Sequence, residues 1–298
     1  MYPAEPRIIS AAQFFLTCGL GTTQVLTLVD FRVDSDDVFF TGSLIEGFGN
    51  SLSDVDVLVV TELPRRHAIR LLPGTRRWVD IVYISRDQLA TQMDSVPDLP
   101  LGYSDWGNAR PASLSALDVL HDFAYGLPVS RPWRTAESII RDGVKSKIAR
   151  SWTLTNIISA RARWHDACGA LQDGQHMQSV YLRSLCLGHC VDAYTGLLGE
   201  TDINVKWRWS KLTRLARSGR DVLGLHDSHM RHCNVDEFTW AEVAVLLLDV
   251  ISLFVTGVRF EAPIPERNGE RFEITCGRWV KVAVDGLSHE VKAPPHLS

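Results

Sequence analysis

Three short segments in the first third of the chain carry the hydrophobic pattern of β-strands. Residues 38–43 form an apolar run that ends in a turn pair, which is typical of a buried strand. Residues 55–60 form a second strand, which follows from an acid–apolar alternation around Asp54 and Asp56, and residues 78–85 form a third with period-two alternation. Between these two strands, residues 64–77 are predicted to form a short helix that ends at a Pro-Gly pair.

Helical spacing of apolar residues dominates most of the remaining chain. It covers residues 7–29 ahead of the strands and, after them, residues 112–126, 145–171 and 177–199. A further helix is predicted around residues 236–257. These long patterns indicate a helical bundle that follows the strand-rich part.

The last segment of the chain returns to alternation. Residues 271–292 place Asp285 and Gly286 between two alternating stretches, which predicts a short β-hairpin. The whole pattern predicts an α+β protein, in which a small mixed-sheet domain precedes an α-helical bundle and a C-terminal β-hairpin. The predicted domains span residues 1–115, 116–260 and 261–298.

Composition is that of a globular protein, and it limits the partners. Of 298 residues, 45% are hydrophobic and 22% charged, and the net charge of -4 argues against a surface built as a whole for nucleic acid.

The N-terminus lacks the basic and apolar segments of a signal peptide, and the longest apolar run, 243–258, contains Asp249. Six scattered cysteines without a CxxC pair indicate reduced thiols. We therefore expect a cytoplasmic protein with no membrane partner, and the sequence does not indicate its oligomeric state.

Acidic residues occur in the second strand in a pattern that needs a positive partner. Asp54 and Asp56 lie two positions apart, so both carboxylates of a strand would point to one face. Two carboxylates on an otherwise apolar strand are costly unless a cation binds them, and Mg²⁺ favours one or two carboxylates together with phosphate oxygens. Asp80, between apolar neighbours in the third strand, supplies a third carboxylate on the same face.

A Gly-Ser pair ends the first strand about ten residues before these acids. Gly42 lets a ligand approach the backbone closely because it has no side chain. Ser43 would lie at the start of a helix, where free N–H groups favour a phosphate. Ser43 and Glu46 also have the spacing of a capping box, so we prefer a capping role for Glu46 over a catalytic one.

Together these residues resemble the nucleotidyltransferase superfamily of DNA polymerase beta and the antibiotic nucleotidyltransferases. The pattern of that superfamily begins with an apolar residue followed by Gly-Gly or Gly-Ser. After a spacer of about the length found here between Ser43 and Asp54 come an acid, an apolar residue and a second acid, and later an Asp between two apolar residues. Thr41 departs from the pattern, because it stands before Gly42 where the superfamily has an apolar residue. The resemblance covers about residues 35–85, and the helical second half is only loosely similar to the antibiotic-modifying branch.

The resemblance implies transfer of a nucleoside monophosphate from a nucleoside triphosphate, with ATP expected, to an acceptor hydroxyl, and release of pyrophosphate. Asp54, Asp56 and Asp80 would hold the metal, expected to be two Mg²⁺ ions with Mn²⁺ as the alternative. Asp80 would be either the general base or only the third ligand. Gly42 and Ser43 would bind the β- and γ-phosphates, in a cleft between the two domains.

Two basic clusters leave the acceptor open. The first contains Lys206, Arg208, Lys211, Arg214, Arg217 and Arg220, and the second contains Arg65, Arg66, Arg70, Arg76 and Arg77. They are interpreted either as solvated surface or as basic walls for a triphosphate or polyanion, with Trp207 and Trp209 as stacking surfaces. A Lys-Trp pair is familiar in the helical domain of the antibiotic enzymes, which assigns Lys206 to nucleotide binding. The preferred acceptor is a small hydroxylated molecule; the alternatives are an RNA end in a toxin-like protein, or a catalytically silent nucleotide-binding module.

Overall fold

The computed structural model of the chain describes two compact groups of residues. It covers residues 21–50, 52–62, 66–99, 110–129, 135–221 and 225–226. For residues 135–139, and for four short strands after residue 260, it describes the backbone alone. The first unit comprises Met1–Pro97, Ala112–Ala149 and Thr201–Ile203, and the second comprises the other residues. This grouping differs from the predicted boundary at residue 115, and the division into three domains stays a prediction.

A five-stranded mixed sheet forms the centre of the first unit. Its strands are β1 (Asp37–Thr41), β2 (Val55–Thr61), β3 (Arg66–Leu71), β4 (Trp78–Ser85) and β5 (Leu127–Pro128). They lie in the order β3-β4-β2-β1-β5, with β2 and β4 parallel and every other neighbouring pair antiparallel. The sheet and the helices around it confirm the prediction of an α+β fold with a small mixed sheet.

Alternation along β2 sorts its side chains between the two faces of the sheet. Val55, Val57 and Val59 are buried in one cluster, together with Val38 and Phe40 of β1. Burying each such side chain contributes about 1.5–3 kcal/mol to folding. The intervening positions of β2 point to the opposite face, so the predicted separation of the apolar and acidic positions of this strand is confirmed.

Helices of the first unit surround the sheet. They are α1 (Thr22–Leu26), α2 (Gly42–Ile45), α3 (Arg86–Ser95) and α4 (Leu114–Tyr125). Phe123 in α4 contacts Phe39 edge-on, with 5.8 Å between the ring centroids. Phe39 lies two positions from Thr41, and Thr41 pairs with Asp56, so α4 packs on the face that carries the acids.

The second unit is mainly helical. It contains most of α5 (Thr135–Gln172), followed by α6 (His176–Leu197), a short 3₁₀ turn (Val205–Trp207) and α7 (Arg208–Arg217). Large side chains of its helices are fully buried, among them Trp164, Tyr194, Leu212 and Leu215. The predicted helices over 145–171 and 177–199 are therefore confirmed as helices.

One predicted helix is wrong. Within residues 64–77 the chain forms β3, which pairs antiparallel with β4, and the Pro-Gly pair follows the strand. Every residue of β3 is exposed or half-buried, so no buried apolar stripe was available to stabilise a helix there. The open edge of β4 supplies backbone hydrogen-bonding groups instead, and these decide the conformation.

The tail forms more than the predicted hairpin. Its strands β6 (Glu261–Pro263), β7 (Arg271–Thr275), β8 (Arg278–Val282) and β9 (Ser288–Glu290) make an antiparallel sheet in that order. Asp285 and Gly286 stand between β8 and β9 in sequence but lie outside the described residues, as do the predicted helix at 236–257 and residues 7–20. In the part of the chain that is described, no helix combines the length and apolarity needed to cross a membrane.

Candidate active site

The predicted acids lie on one face of two neighbouring strands. Asp56 on β2 and Asp80 on β4 are Cα partners in the parallel ladder, and both are half-buried. Asp54 precedes β2 and is exposed. Since neighbouring strands are about 4.8 Å apart, partnered residues present their side chains side by side. The sheet therefore brings Asp56 and Asp80 together, and Asp54 directly precedes β2.

These acids do not form a closed metal site. Over the ranges that the structure describes, no three His, Cys, Asp or Glu side chains are grouped closely enough to enclose a metal ion. The carboxylate oxygens of Asp56 and Asp80 are still the hard ligands that Mg²⁺ prefers, and Mg²⁺ usually keeps several waters and substrate phosphates among its ligands. The donor set fits a cation bound by one or two carboxylates with its other ligands from elsewhere.

Gly42 brings the turn after β1 against Asp56. Its φ angle is +72°, and a Cβ atom built there would meet the Asp56 Oδ2 atom at 2.0 Å and the Asp56 Cβ atom at 2.9 Å. Rotating the Asp56 side chain would not relieve the second contact, because a Cβ atom does not move with χ1. A glycine is therefore required both by the backbone conformation and by the position of Asp56.

The helix expected after the Gly-Ser pair is shorter than a phosphate site at a helix terminus needs. Helix α2 has four residues, and Ser43 within it is only 8% exposed. The Ser43 carbonyl accepts hydrogen bonds from the N–H groups of Phe48 and Gly49, both at 2.8 Å. Because one turn carries little dipole, phosphate binding by Gly42 and Ser43 stays a prediction that a helix dipole does not support.

Asp122 is a fourth carboxylate, whose place near the other acids was not predicted. It lies half-buried in α4. Burial raises its pKa well above the ordinary value, the charged His121 lowers it again, and the negative charges of Asp118 and Asp56 raise it further. A hydrogen bond with the Thr41 side chain also acts on this carboxyl group. The only sequence signal was the spacing of Asp118 and Asp122, four apart on one helix face.

His67 contacts the candidate base. Its Nε2 atom is in hydrogen-bonding contact with Asp80 Oδ1, and the side chains of His67 and Asp80 are 55% and 37% exposed. His67 lies on β3, the strand that was predicted to be helical, so its position beside Asp80 was not predicted. This contact orients the Asp80 carboxylate, while its exposure leaves it accessible.

Glu46 does not form the predicted capping box. The N-cap of α2 is Thr41, without a side-chain cap bond, and Glu46 follows the last residue of the helix. Its carboxylate instead contacts His121, with 2.9 Å between Glu46 Oε1 and His121 Nε2, and the other ring nitrogen lies 3.0 Å from the Thr201 hydroxyl. This buried pair ties the turn after β1 to α4.

The basic run at 206–220 is largely engaged within the second unit. Arg208 donates two hydrogen bonds to the buried Asp192, at 3.1 and 2.7 Å, and Arg214 makes a two-bond contact with the buried Glu200. Lys211 is fully buried, and Arg220 donates to a backbone carbonyl. The interpretation of this run as one continuous basic wall is therefore wrong.

Lys206 is exposed, and its ammonium lies 5.0 Å from the centre of the Trp207 ring. It belongs to the second unit, and its assignment to nucleotide binding stays a prediction, as does the predicted location of the site in a cleft between domains.

Two arginines of the second basic cluster do not share the face of the acids. Arg66 and Arg70 are the partners of Tyr83 and Val79, which are buried in the core cluster of the opposite face. Arg66 stacks on Tyr83 at 4.0 Å and forms an ion pair with Asp30. The prediction that these arginines lie at the mouth of the site is therefore wrong for Arg66 and Arg70. Arg77 donates a hydrogen bond to the carbonyl of Ser53, which precedes Asp54, at 3.4 Å. For Arg76 and Arg77 the prediction stays a prediction, and Arg65 is outside the described residues.

Comparisons with known proteins add little to this geometry. No known protein family matches the sequence, and no curated protein is similar to it. Among solved structures, the chain is similar to a nucleotidyltransferase-like protein from Exiguobacterium sibiricum 255-15, with 10% sequence identity and a TM-score of 0.36 over 74% of this chain and 67% of that chain. Because this likeness is too low to bear on fold or activity, the function is inferred from the site alone.

Proposed function

We propose that the protein is a metal-dependent nucleotidyltransferase that moves a nucleoside monophosphate from a nucleoside triphosphate to a hydroxyl of a small molecule. The observation that carries this proposal is the register of three strands. Thr41, which precedes Gly42, pairs with Asp56, and Asp56 pairs with Asp80. The reaction needs a group that binds phosphate and carboxylates that bind a metal close to each other. The glycine turn and the two carboxylates on adjacent strands supply these groups.

The residues of the chain divide the work of the reaction. Gly42 and Ser43 bind the β- and γ-phosphates, and Asp80 accepts the proton of the attacking hydroxyl. Asp54 and Asp56 hold Mg²⁺ or Mn²⁺, which supplies Lewis-acid stabilisation of the charge on the transferred phosphoryl group. The contact with His67 of β3 restrains the orientation of the Asp80 carboxylate.

The distribution of positive charge supports a small acceptor over RNA. A protein that binds an RNA end neutralises several phosphates with Lys and Arg. Here Arg208 and Arg214 are already paired with buried carboxylates, and Arg66 and Arg70 lie on the sheet face away from the acids. Four of the cations that the RNA interpretation depends on are therefore engaged elsewhere.

Substitution of Asp56 tests the proposal. Asp56→Asn should lower nucleotidyl transfer from labelled ATP by roughly 10³-fold, because it removes charge that stabilises the reacting oxygens. Folding should survive, since the change relieves repulsion between Asp56 and Asp122. Asp34→Asn, at an exposed loop position, is the matched control and should keep full activity. A folded Asp56→Asn protein with near-normal transfer would contradict the proposal, and ATP binding without any transfer by the unchanged protein would favour a silent nucleotide-binding module.

A further inference from the structure

Three large apolar side chains are exposed on the edge of the sheet. Ile69 and Leu71 of β3 are 58% and 50% exposed, and Trp78 at the start of β4 is 48% exposed. Exposed apolar residues are common singly, but adjacent ones indicate a surface that binds something. These three residues are called the apolar strip below.

The register places the apolar strip on the face of the acids. Leu71 pairs with Trp78, and Ile69 pairs with Asp80, the candidate base. Partnered residues of neighbouring strands share a face, so the three apolar side chains and the Asp80 carboxylate point to the same side of the sheet. The strip is therefore continuous with the row of acids.

Strand order separates the strip from the glycine turn. The sequence of strands across the sheet is β3-β4-β2-β1, with the turn at the end of β1, Asp56 on β2 and Asp80 on β4. An in-line displacement requires the attacking hydroxyl and the departing pyrophosphate on opposite sides of the reacting phosphorus. If the phosphates occupy the β1 side, the acceptor occupies the β4 and β3 side, where the strip lies.

Charge next to the strip disfavours one class of acceptor. Asp80 is the β4 partner of Ile69. Asp54 directly precedes Val55 of β2, and Trp78 directly precedes Val79, the β4 partner of Val55. The arginines of β3 face the other way, against Tyr83 and Val79. His67 contacts Asp80, and Arg77 donates to the Ser53 carbonyl at 3.4 Å, so the basic side chains nearest to these acids are already engaged. A phosphate-rich acceptor would meet Asp80 and Asp54 here, whereas an uncharged ring would meet Trp78 and two aliphatic side chains.

We propose that the apolar strip is the acceptor subsite, and that the acceptor is a small molecule with an aromatic or apolar ring next to its reacting hydroxyl. The ring stacks on Trp78 and covers Leu71 and Ile69, which directs the hydroxyl towards Asp80. This inference rests on the proposed nucleotidyl transfer and adds the substrate class to it.

Two simple alcohols test the acceptor class directly. The probes are 2-phenylethanol, which has a ring beside its hydroxyl, and erythritol, which has hydroxyls but no apolar face. With labelled ATP and Mg²⁺, we expect kcat/KM for transfer to 2-phenylethanol to exceed that for erythritol by about tenfold, the size typical of one good apolar contact. In the double variant that carries Leu71→Ser and Trp78→Ser, this preference should disappear. We expect the KM for 2-phenylethanol to rise, while the KM for ATP stays unchanged. Val33→Ser is the control, because Val33 is 68% exposed and lies outside the strip.

A binding measurement separates this inference from the proposed function. Saturation-transfer NMR detects 2-phenylethanol bound to the protein without turnover, and its signal should fall in the double variant but not in Val33→Ser. Two results would overturn the acceptor subsite and leave the proposed function standing. One is transfer that depends on Asp56 but uses both alcohols equally. The other is an equal NMR signal for 2-phenylethanol in all the proteins. Labelling of an RNA oligonucleotide in preference to both alcohols also overturns the strip. A dimer of the unchanged protein that is lost in the double variant would mean that a second copy covers the strip, and would overturn the acceptor subsite as well.

Discussion

Gly42 is the position where one added methyl group should do most harm. Gly42 and Gly74 both have positive φ angles, +72° and +77°, so Ala at either position incurs about 1–2 kcal/mol of backbone strain. At Gly74 the new Cβ atom would meet no atom within 4 Å, whereas at Gly42 it would meet Asp56 Oδ2 at 2.0 Å. We therefore expect Gly42→Ala to lower the free energy of unfolding by clearly more than Gly74→Ala does, as measured by urea denaturation.

The same pair of variants reports on activity. Gly42→Ala should also lower nucleotidyl transfer strongly, because Asp56 must move to make room, and Gly74→Ala should leave the rate unchanged. Equal stability and equal rates for the two variants would show that the turn does not hold Asp56 in the way described.

Asp80 has two possible roles that one substitution separates. If Asp80 is the general base, Asp80→Asn loses rate by about 10²–10⁴-fold at every Mg²⁺ concentration and loses the acidic limb of the pH profile. We expect this result, because the Asp80 side chain is 37% exposed and is therefore accessible to an acceptor hydroxyl, while His67 restrains it from β3. Recovery of more than half the unchanged protein's rate by excess Mg²⁺ would instead show that Asp80 is only a metal ligand.

The contact between α2 and α4 should make stability depend on pH. Burial alone would lower the pKa of His121, but the charge and hydrogen bond of Glu46 outweigh burial and raise that pKa from 6.5 to about 9. A histidine with a raised pKa in the folded state stabilises the protein fully below pH 6.5, and this contribution is lost as the pH rises through about 9. The free energy of unfolding should therefore fall between these two values, by at most about 1.4 kcal/mol per pH unit.

A histidine variant isolates this pair from other titrating groups. His121→Gln keeps a side chain that hydrogen-bonds but does not titrate, so its unfolding free energy should be flatter than that of the unchanged protein between pH 6.5 and 9. Urea denaturation at several pH values measures both curves. Parallel curves would show that His121 does not carry the pH dependence.

Secondary structure was predictable where a local signal existed. Helices α5 and α6 have long apolar stripes, and these residues are helical as predicted. Helix α3 was not predicted, although Ser85 and Gln88 form a capping box that the sequence displays, with the Gln88 N–H donating to Ser85 Oγ at 3.1 Å. Strand β3 was not predictable from its own residues, because its backbone conformation depends on pairing with β4.

The distribution of charge over the molecule predicts weak binding of RNA. Of the basic run, the side chains of Lys206 and Arg217 are the exposed ones, while Arg208 and Arg214 are half-buried in ion pairs. We expect the affinity for a single-stranded RNA to fall only shallowly with salt, with a slope of magnitude below about 2 in a plot of log K against log salt. Neutralising Lys206 and Arg217 together should change that slope little, as measured by fluorescence anisotropy.

A steep slope that becomes shallower in the Lys206→Ala, Arg217→Ala double variant would restore the RNA interpretation. Arg208 and Arg214 are unsuitable for this test. Removing either would leave a buried carboxylate unpaired, at a cost of about 3–5 kcal/mol, and would lower stability rather than report on RNA.

The amino-acid sequence alone determined which residues are candidates for the proposed chemistry, since Gly42, Asp54, Asp56 and Asp80 are recognised by spacing and by the period-two alternation of strands. It also determined the long helices, because an apolar stripe at helical spacing is local information. Tertiary structure decided which groups meet across the sheet and between its helices. Asp122 approaches Asp56, His67 contacts Asp80, His121 pairs with Glu46, and Arg66 faces away from the acids. These relations depend on strand pairing and helix packing between residues far apart in the chain, so no local pattern of residues encodes them.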